Sequence, residues 1–433
     1  MAGEPVAAVH LWGRLVGAVA EDSTGQVIFE YDSSFARTGW EISPRHLPLS
    51  RQGPVIFPEL RRVEAFQGLP GVLADALPDR FGNAVIKGYF ERRGRPQDAL
   101  SPVQRLLYIG HRAMGALEFE PPMDVPLGGA AEEALEVARL VEQARRVVAG
   151  RSDIAIPEIM LLGASAGGAR AKAVILWNRA TDEVRSGFAA PHPGDEPWVI
   201  KFDGVGELDH PDPKPQPYNR IEYAYNQMAK AAGIETTDTH LLQERRLAHF
   251  MSRRFDRDAD GRLHLHSLGG LDHADYNAPR TYSYEQYLLV CRELLLSPAG
   301  LEEAFRRAAF NVVAVNQDDH VKNFSFLMDR RGRWRLAPAY DLTFARGRDF
   351  TRTHQLTLGG KVDDFTRADL RRLGAELGLR QDGASVIDQV VEAVSNWPRF
   401  GKTAGVPDER IEEIRKLHRI TAMQSPVVPT GPK

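Results

Sequence analysis

The stretch NQDDHVKN, residues 316–323, decides the fold class of this chain. It follows the apolar run AAFNVVAV (308–315) and combines two adjacent carboxylates, a histidine, a lysine and an asparagine. Such a polar group after an apolar helix predicts a loop that carries chemistry, although a merely solvated loop can have the same composition. Asp318 and Asn323 have the same separation as the Asp and Asn of the catalytic loop HRDxxxxN of protein kinases.

In that loop the Asp accepts the proton of the substrate hydroxyl and the Asn oxygen holds magnesium. We therefore predict Asp318 as the catalytic base and Asn323 as a magnesium ligand. Lys322 would neutralise charge on the transferred phosphoryl group. Asp319 is the rival base, because chemistry alone does not distinguish two neighbouring carboxylates.

A second acid stands in the apolar stretch APAYDLTFA, residues 337–345, shortly after the strand-like RWRLAP. Its position after the Asp–Asn loop matches that of the magnesium-binding Asp of kinases. Magnesium prefers hard oxygen ligands and one or two carboxylates. Asn323 and Asp341 would supply such a pair, whereas on its own Asp341 could equally cap the following turn.

Three further features precede this loop in the order that kinases use. The stretch GASAGGARAKAVIL (163–176) has small residues that let backbone N–H groups approach phosphates, or that simply make a turn. Lys201 lies in the apolar strand PWVIKFDG, where it can reach phosphates or face solvent at a sheet edge. Glu222, in the helical pattern NRIEYAYNQMAKAAG, is a candidate to orient Lys201, or belongs to a solvated helix face.

Composition excludes several other classes of protein. The 433 residues carry 55 Lys+Arg against 58 Asp+Glu, a net charge of −3. We therefore do not expect the surface as a whole to bind nucleic acid. The single cysteine, Cys291, excludes an intrachain disulfide framework and a Cys-rich metal site. No apolar run is long enough to span a bilayer, and the N-terminal sequence does not have the pattern of a signal peptide. We expect a cytoplasmic protein.

Composition and periodicity divide the chain into four parts. Residues 1–120 read as a β meander with helices, 121–255 as a region with the Gly-rich stretch and the strand lysine, 256–425 as a mostly helical region with both acidic loops, and 426–433 as a disordered tail. The predicted fold class is α+β. The order of the motifs resembles that of kinases, and this resemblance implies a two-lobed protein-kinase-like fold with a small β-rich N-terminal subdomain and a mostly helical C-terminal lobe.

At these residues the sequence resembles the HipA family of bacterial toxin kinases. The matching motifs are GASAGGARAKA, VIKFDG, NRIEYAYNQMAKAAGIE, SRRFDR, NQDDHVKNFSFL and LAPAYDL, and residues 9–86 resemble the family's N-terminal subdomain. The resemblance implies an ATP- and magnesium-dependent serine/threonine protein kinase that acts as the toxin of a toxin–antitoxin system. It also implies a small helix-turn-helix antitoxin (HipB-like) as partner, operator DNA bound mainly through that antitoxin, and an aminoacyl-tRNA synthetase as the candidate substrate.

The resemblance also implies roles for individual residues. Ser165 matches the family's autophosphorylated serine, whose phosphate would displace the Gly-rich loop and inactivate the enzyme. Phe255 would lie at the adenine hinge and Tyr340 would line the pocket. The implied ATP-binding residues are Gly167, Gly168, Ala169, Lys172, Lys201, Phe255, His320, Lys322, Asn323, Tyr340 and Asp341.

Other patterns point to structure rather than chemistry. His264, His266 and His273 could chelate a metal, but no matching Cys or acid spacing supports a closed zinc site. The stretch RRFDRDADGR (253–262) lacks the terminal Glu of a calcium loop and predicts a β-hairpin tip. Two other functions remain open: a catalytically weak kinase-fold co-repressor that acts by binding the antitoxin, and a kinase of small molecules.

Overall fold

A computed structural model describes residues 5–92, 100–123, 135–150, 170–206, 216–294 and 296–424. Ser165, Gly167, Gly168, Ala169 and the tail 426–433 therefore lie outside the described residues. Within the described ranges no helix is both long and apolar enough to cross a membrane. The chain divides into two compact units: Met1–Asn219 with Thr237–Asn277 and Phe324–Ala337, and Arg220–Thr236 with Ala278–Asn323 and Pro338–Lys433.

The strands, in chain order, are β1 Val6–Leu11, β2 Arg14–Glu21, β3 Val27–Tyr31, β4 Leu117–Glu120, β5 Lys172–Asn178, β6 Glu183–Ser186, β7 Asp195–Lys201, β8 Thr239–Glu244, β9 Leu247–Arg253, β10 Arg257–Asp258, β11 Gly261–Arg262, β12 His264–Ser267, β13 Tyr282–Ser283, β14 Ser325–Met328, β15 Trp334–Leu336 and β16 Leu356–Thr357. The α-helices are Gly71–Ala74, Arg80–Arg92, Pro102–Ile109, Val137–Val148, Tyr218–Ala231, Leu268–Leu271, Tyr284–Glu293, Pro298–Val313, Arg367–Glu376, Ala384–Ser395, Trp397–Thr403, Asp408–Leu417 and Ile420–Met423.

The first unit is built on antiparallel sheets. One sheet has the order β3-β2-β1-β4, a second has the order β6-β5-β7-β9-β8, and a third has the order β12-β14-β15. Gly17 sits where β2 meets β3 so closely that a Cβ would lie 2.1 Å from the Glu30 carbonyl oxygen. One hydrophobic core contains side chains from both larger sheets, among them Val9, Phe29 and Ile175, so these sheets share their buried interior.

The histidines of the HLHS strand and of the following loop form hydrogen bonds within this unit. His264 Nε2 donates to the Ile42 carbonyl oxygen at 2.8 Å. His266 Nδ1 lies 2.7 Å from an Asp75 carboxylate oxygen. His273 Nε2 accepts from the backbone N–H of Gly71 at 3.1 Å. Each ring is thus occupied by a hydrogen bond to the N-terminal part of the same unit.

We expect acid to destabilise this unit through two of these histidines. Burial, with neighbouring His266, lowers the pKa of His264 to about 3. Burial, with His46, lowers the pKa of His273 to about 3. Both rings are therefore neutral in the fold, while the unfolded chain binds their protons below pH ~6.5. The contribution of the two neutral rings to the free energy of unfolding is fully present above that pH. It is lost as the pH falls towards 3, by ~1.4 kcal/mol per pH unit for each ring.

Urea unfolding midpoints measured between pH ~7.5 and ~4.5 test this effect, because this range includes the pKa of ~6.5 of an unfolded histidine. His264→Gln should flatten the slope of stability against pH, and His192→Gln, at an exposed position, should leave it unchanged. Equal slopes in wild type and His264→Gln would contradict the assignment.

The second unit is mostly helical. Its central helix, Pro298–Val313, begins with Ser297 as N-cap, whose hydroxyl accepts from the Gly300 N–H. The helix Tyr284–Glu293 begins with a capping box between Ser283 and Gln286. Both helices bury large side chains, so the position at which the following loop leaves Val313 is fixed by packing.

Candidate active site

The NQDDHVKN loop leaves the central helix through a constrained turn. Val315 has φ +57°, an unusual conformation for a β-branched residue. Asn316 Nδ2 donates to Asn311 Oδ1 at 3.0 Å. The backbone N–H of Gln317 donates to the Ala345 carbonyl oxygen at 2.9 Å. The loop is therefore attached both to its helix and to the end of the APAYDLTFA stretch (337–345).

The two aspartates of the loop have different environments. The Asp318 side chain is 40 % exposed, whereas that of Asp319 is 0 % exposed. Asp319 Oδ2 accepts from the Tyr284 hydroxyl at 2.5 Å and from His354 Nδ1 at 2.7 Å. Its Oδ1 accepts from the Gln355 N–H at 2.7 Å. Asp319 is thus a buried structural acceptor, and Asp318 is the carboxylate that a substrate can reach.

The tautomer of His354 follows from its contact with Arg419. Its Nε2 lies 2.7 Å from Arg419 Nη1. A guanidinium only donates, so this Nε2 accepts and the ring proton is on Nδ1, facing Asp319. Burial and the Asp319 charge raise the pKa of Tyr284 well above its usual value, which keeps its hydroxyl a donor. Asp319 therefore receives three hydrogen bonds, and the loop cannot turn it outward without breaking them.

Asn323 is oriented by the backbone of Asp318. Its Nδ2 donates to the Asp318 carbonyl oxygen at 2.7 Å. Because a carbonyl oxygen only accepts, the amide nitrogen must face it, and Oδ1 of Asn323 is the atom that would hold a metal. His320 Nε2 lies 3.8 Å from an Asp318 carboxylate oxygen. The structure thus brings Asp318, His320 and Asn323 together in one short loop.

The PAYD segment lies against the same loop. The Tyr340 hydroxyl donates to the Lys322 carbonyl oxygen at 2.6 Å. This bond joins the immediate neighbours of the two predicted magnesium ligands, Asn323 and Asp341. Asp341 has φ +52°, and strained backbone of this kind is common at functional sites. One carboxylate and one amide oxygen are a donor set that suits magnesium, which keeps several waters.

The strand lysines belong to the first unit. The register of β5 and β7 places Lys172 directly opposite Lys201, so the two side chains leave the sheet on the same face. The Lys172 ammonium forms an ion pair with Asp79 at 3.0 Å, and both side chains are about nineteen-twentieths buried. Asp79 also caps the helix Arg80–Arg92, because its Oδ1 accepts from the Gly82 N–H at 2.7 Å. The acid therefore offsets one of two neighbouring positive charges.

The remaining predicted residues are placed as follows. The Lys201 carbonyl oxygen accepts from Asn219 Nδ2 at 3.0 Å, and its ammonium lies 5.8 Å from the Phe250 ring centre. Glu222 is buried in the second unit, and its pairing with Lys201 stays a prediction. Phe255 packs against a small cluster that contains Leu263 and Leu327.

Sequence motifs do not predict the residues that fix the buried side of the loop. Tyr284, His354, Gln355 and Arg419 carry no local signature. They are ordinary polar residues at helix starts and loop ends, and only long-range contact identifies them. The RRFDRDADGR stretch forms the β10–β11 hairpin, as predicted.

Comparison with known proteins identifies the family. Residues 164–397 match the family model of the HipA-like C-terminal domain, and residues 7–120 match that of the HipA N-terminal domain. The chain belongs to the HipA family. The family resemblance and the α+β, kinase-like fold class predicted from the sequence are thereby confirmed.

Two curated relatives carry kinase names. A protein of Sinorhizobium fredii named "Putative kinase Y4mE" is 25% identical to this HipA-family chain over 360 residues, covering 78% of the chain and 77% of the relative. A "Putative kinase" of Haemophilus influenzae is 29% identical over 163 residues, covering 32% of the chain and 46% of the relative.

A solved structure shares the fold. HipA of Shewanella oneidensis MR-1, in a toxin–antitoxin complex with HipB and operator DNA, superposes with a TM-score of 0.64. The alignment covers 95% of this chain and 94% of that protein, at 16% sequence identity. This HipA-family protein therefore shares the fold of that HipA along nearly its whole length.

Proposed function

We propose that this HipA-family protein transfers the γ-phosphoryl group of ATP to a serine or threonine hydroxyl of a protein. The observation that carries the proposal is the contrast between Asp318 and Asp319. A loop in which one carboxylate is fixed by three hydrogen bonds and its neighbour is exposed beside a histidine and an oriented amide fits a catalytic loop better than a solvated turn.

In the proposed reaction Asp318 accepts the proton of the substrate hydroxyl. The hydroxyl oxygen forms a bond to the γ-phosphorus while the bond to the leaving ADP oxygen breaks. Asn323 and Asp341 would hold magnesium, which neutralises phosphate charge when bound. Lys201, oriented by Glu222, and Lys322 would contact the phosphates, with His320 and Tyr340 beside them.

Residues of the Gly-rich stretch complete the proposal. Gly167, Gly168 and Ala169 would cover the phosphates, and Phe255 would lie near the adenine. Lys172 is proposed as a further ATP-binding residue of the same stretch, and its ammonium also forms an ion pair with Asp79. Ser165 would be the site of autophosphorylation, which adds about −1.5 to −2 charges beside the phosphate site.

The family assignment supports a role as the toxin of a toxin–antitoxin system. A HipB-like helix-turn-helix antitoxin is the proposed partner, and operator DNA would be bound mainly through it. The proposed substrate is a translation-related protein such as an aminoacyl-tRNA synthetase, and the proposed compartment is the cytoplasm.

One experiment tests the core of this proposal. The purified full chain is incubated with magnesium and γ-labelled ATP in a cell extract, and label is followed on proteins and on small metabolites, with intact-mass analysis of the chain itself. We expect label on protein, one added phosphate at Ser165, and at least ~10²-fold less transfer by Asp341→Asn, which loses the metal-binding charge. Asp260→Asn, in an exposed turn, is the charge-matched control.

Three outcomes contradict parts of the proposal separately. Label confined to metabolites would indicate a small-molecule kinase. No transfer by the folded wild type would favour a co-repressor that acts only by binding. Transfer to protein without an added phosphate on the chain, and unchanged by Ser165→Ala, would remove self-inactivation alone.

A further inference from the structure

A cluster of arginines lies on the surface next to the catalytic loop. The segment ARGRDFTRT, residues 345–353, exposes Arg346, Arg348 and Arg352. Arg280 is exposed as well, and its Nε donates to the Thr353 hydroxyl oxygen at 2.9 Å. We refer to these four arginines as the basic surface. Within the part of the chain that the structure describes, no carboxylate forms an ion pair with any of them.

Hydrogen bonds of Gln355 connect the basic surface to the residues on both sides of Asp318. The Gln355 side-chain N–H group donates to the Gln317 carbonyl oxygen at 3.1 Å and to the Phe350 carbonyl oxygen at 2.5 Å. Its backbone N–H donates to Asp319 at 2.7 Å, and its carbonyl oxygen accepts from the Arg280 N–H at 2.8 Å. One residue thus links the predicted base to the arginines through its neighbours.

The charge of this surface suits it to an acidic partner. Guanidinium groups stay protonated and only donate hydrogen bonds. Four of them lie on or beside a segment whose one acid is Asp349, and like charges held together repel one another. Arginine in such an arrangement is suited to carboxylates, which it binds through two parallel hydrogen bonds.

We propose that the basic surface binds acidic residues that flank the acceptor hydroxyl of the protein substrate. This inference rests on the proposed phosphoryl transfer to protein and names the substrate class of the same site: a serine or threonine in an acidic segment. Arg280, Arg346, Arg348 and Arg352 are positioning residues, which raise the occupancy of the hydroxyl at Asp318 without contacting the reacting atoms. A peptide is favoured over a nucleic acid because the exposed neighbour of the surface is a carboxylate base suited to a hydroxyl.

The test compares two fluorescein-labelled peptides, one with a serine flanked by glutamates and one with the same serine flanked by glutamines. Binding is measured by anisotropy with the full chain, and transfer is measured as KM and kcat. The variant carries Arg346→Gln, Arg348→Gln and Arg352→Gln together. The control carries Arg371→Gln, Arg380→Gln and Arg399→Gln, which remove the same charge from exposed positions elsewhere in the same unit.

We expect the variant to raise Kd and KM for the acidic peptide ~10-fold, in line with exposed ion pairs of modest individual strength. The kcat should stay within about twofold, because no reacting group is changed. The neutral peptide should bind equally weakly to all three proteins, and added salt should reduce the preference for the acidic peptide.

Other results would overturn the inference. Equal affinity of the wild type for both peptides rejects it, and so does a loss confined to kcat. Loss of binding to a labelled single-stranded oligonucleotide, with peptide affinity unchanged, assigns the surface to nucleic acid instead. Because peptide binding is measured without turnover, a failure of the proposed chemistry shows as binding without transfer, and a failure of this inference shows as transfer without acidic preference.

Discussion

Asp318→Asn is expected to slow phosphoryl transfer ~10³-fold or more, since the substitution removes the group that accepts the hydroxyl proton. The side chain is 40 % exposed, so the free energy of unfolding should change little. The measurement is a single-turnover rate with saturating ATP and magnesium, beside a thermal unfolding curve.

Asp319→Asn is the matched comparison, because it makes the same chemical change one residue away. Asn at this position replaces one of the two carboxylate oxygens by an NH2 group, which would face either the Gln355 N–H or the Tyr284 and His354 donors. Three donors would then lose a charged acceptor in a buried site, so stability should fall markedly. A larger rate loss for Asp319→Asn than for Asp318→Asn, at equal folded fraction, would reverse the assignment of the base.

The second large effect is expected at Asp256, which lies buried in the first unit. Its carboxylate accepts from Arg254 at 2.9 and 2.7 Å, from Arg257 at 2.8 Å and from the Gly115 N–H at 2.6 Å. Asp256→Ala would leave the buried Arg254 guanidinium without this partner. Breaking a buried ion pair from one side costs about 3–5 kcal/mol.

Urea unfolding of Asp256→Ala, with Asp260→Ala in the exposed turn as control, measures this loss. Burial alone would raise the pKa of the Asp256 carboxyl, but the charges and hydrogen bonds of Arg254 and Arg257 hold the pKa below its usual range. A carboxyl group whose pKa is lowered in the fold stabilises the protein above the unfolded pKa of ~3.9. This stabilisation is lost as the pH falls below that value. The difference between wild type and Asp256→Ala should therefore persist from pH ~7 to ~5. A difference under ~1 kcal/mol near neutral pH would contradict the role of this pair.

The separation of Asp318 from Asn323 could be predicted from the sequence because both lie in one loop, where spacing fixes distance. The choice between Asp318 and Asp319 could not, because it depends on Tyr284 and His354, each 35 residues away along the chain. Burial of one carboxylate is a property of the packed second unit, and no local pattern encodes it.

The same limit applies to the RRFDR stretch and to Lys172. The sequence predicts a hairpin tip because the stretch lacks the terminal Glu of a calcium loop, and the β10–β11 pairing confirms this prediction. That Asp256 holds two arginines and the Gly115 backbone could not be predicted, because Gly115 is 141 residues away. The resemblance implies that Lys172 contacts the nucleotide, but no local pattern predicts its ion pair with Asp79, which is 93 residues away along the chain.

The contact between Asp79 and Lys172 has an evolutionary consequence. It joins a residue of the part that matches the HipA N-terminal domain to a residue of the part that matches the C-terminal one. A homologue without the N-terminal module would lack the carboxylate side of this buried ion pair. The acid and the lysine should be inherited, lost or exchanged as a pair.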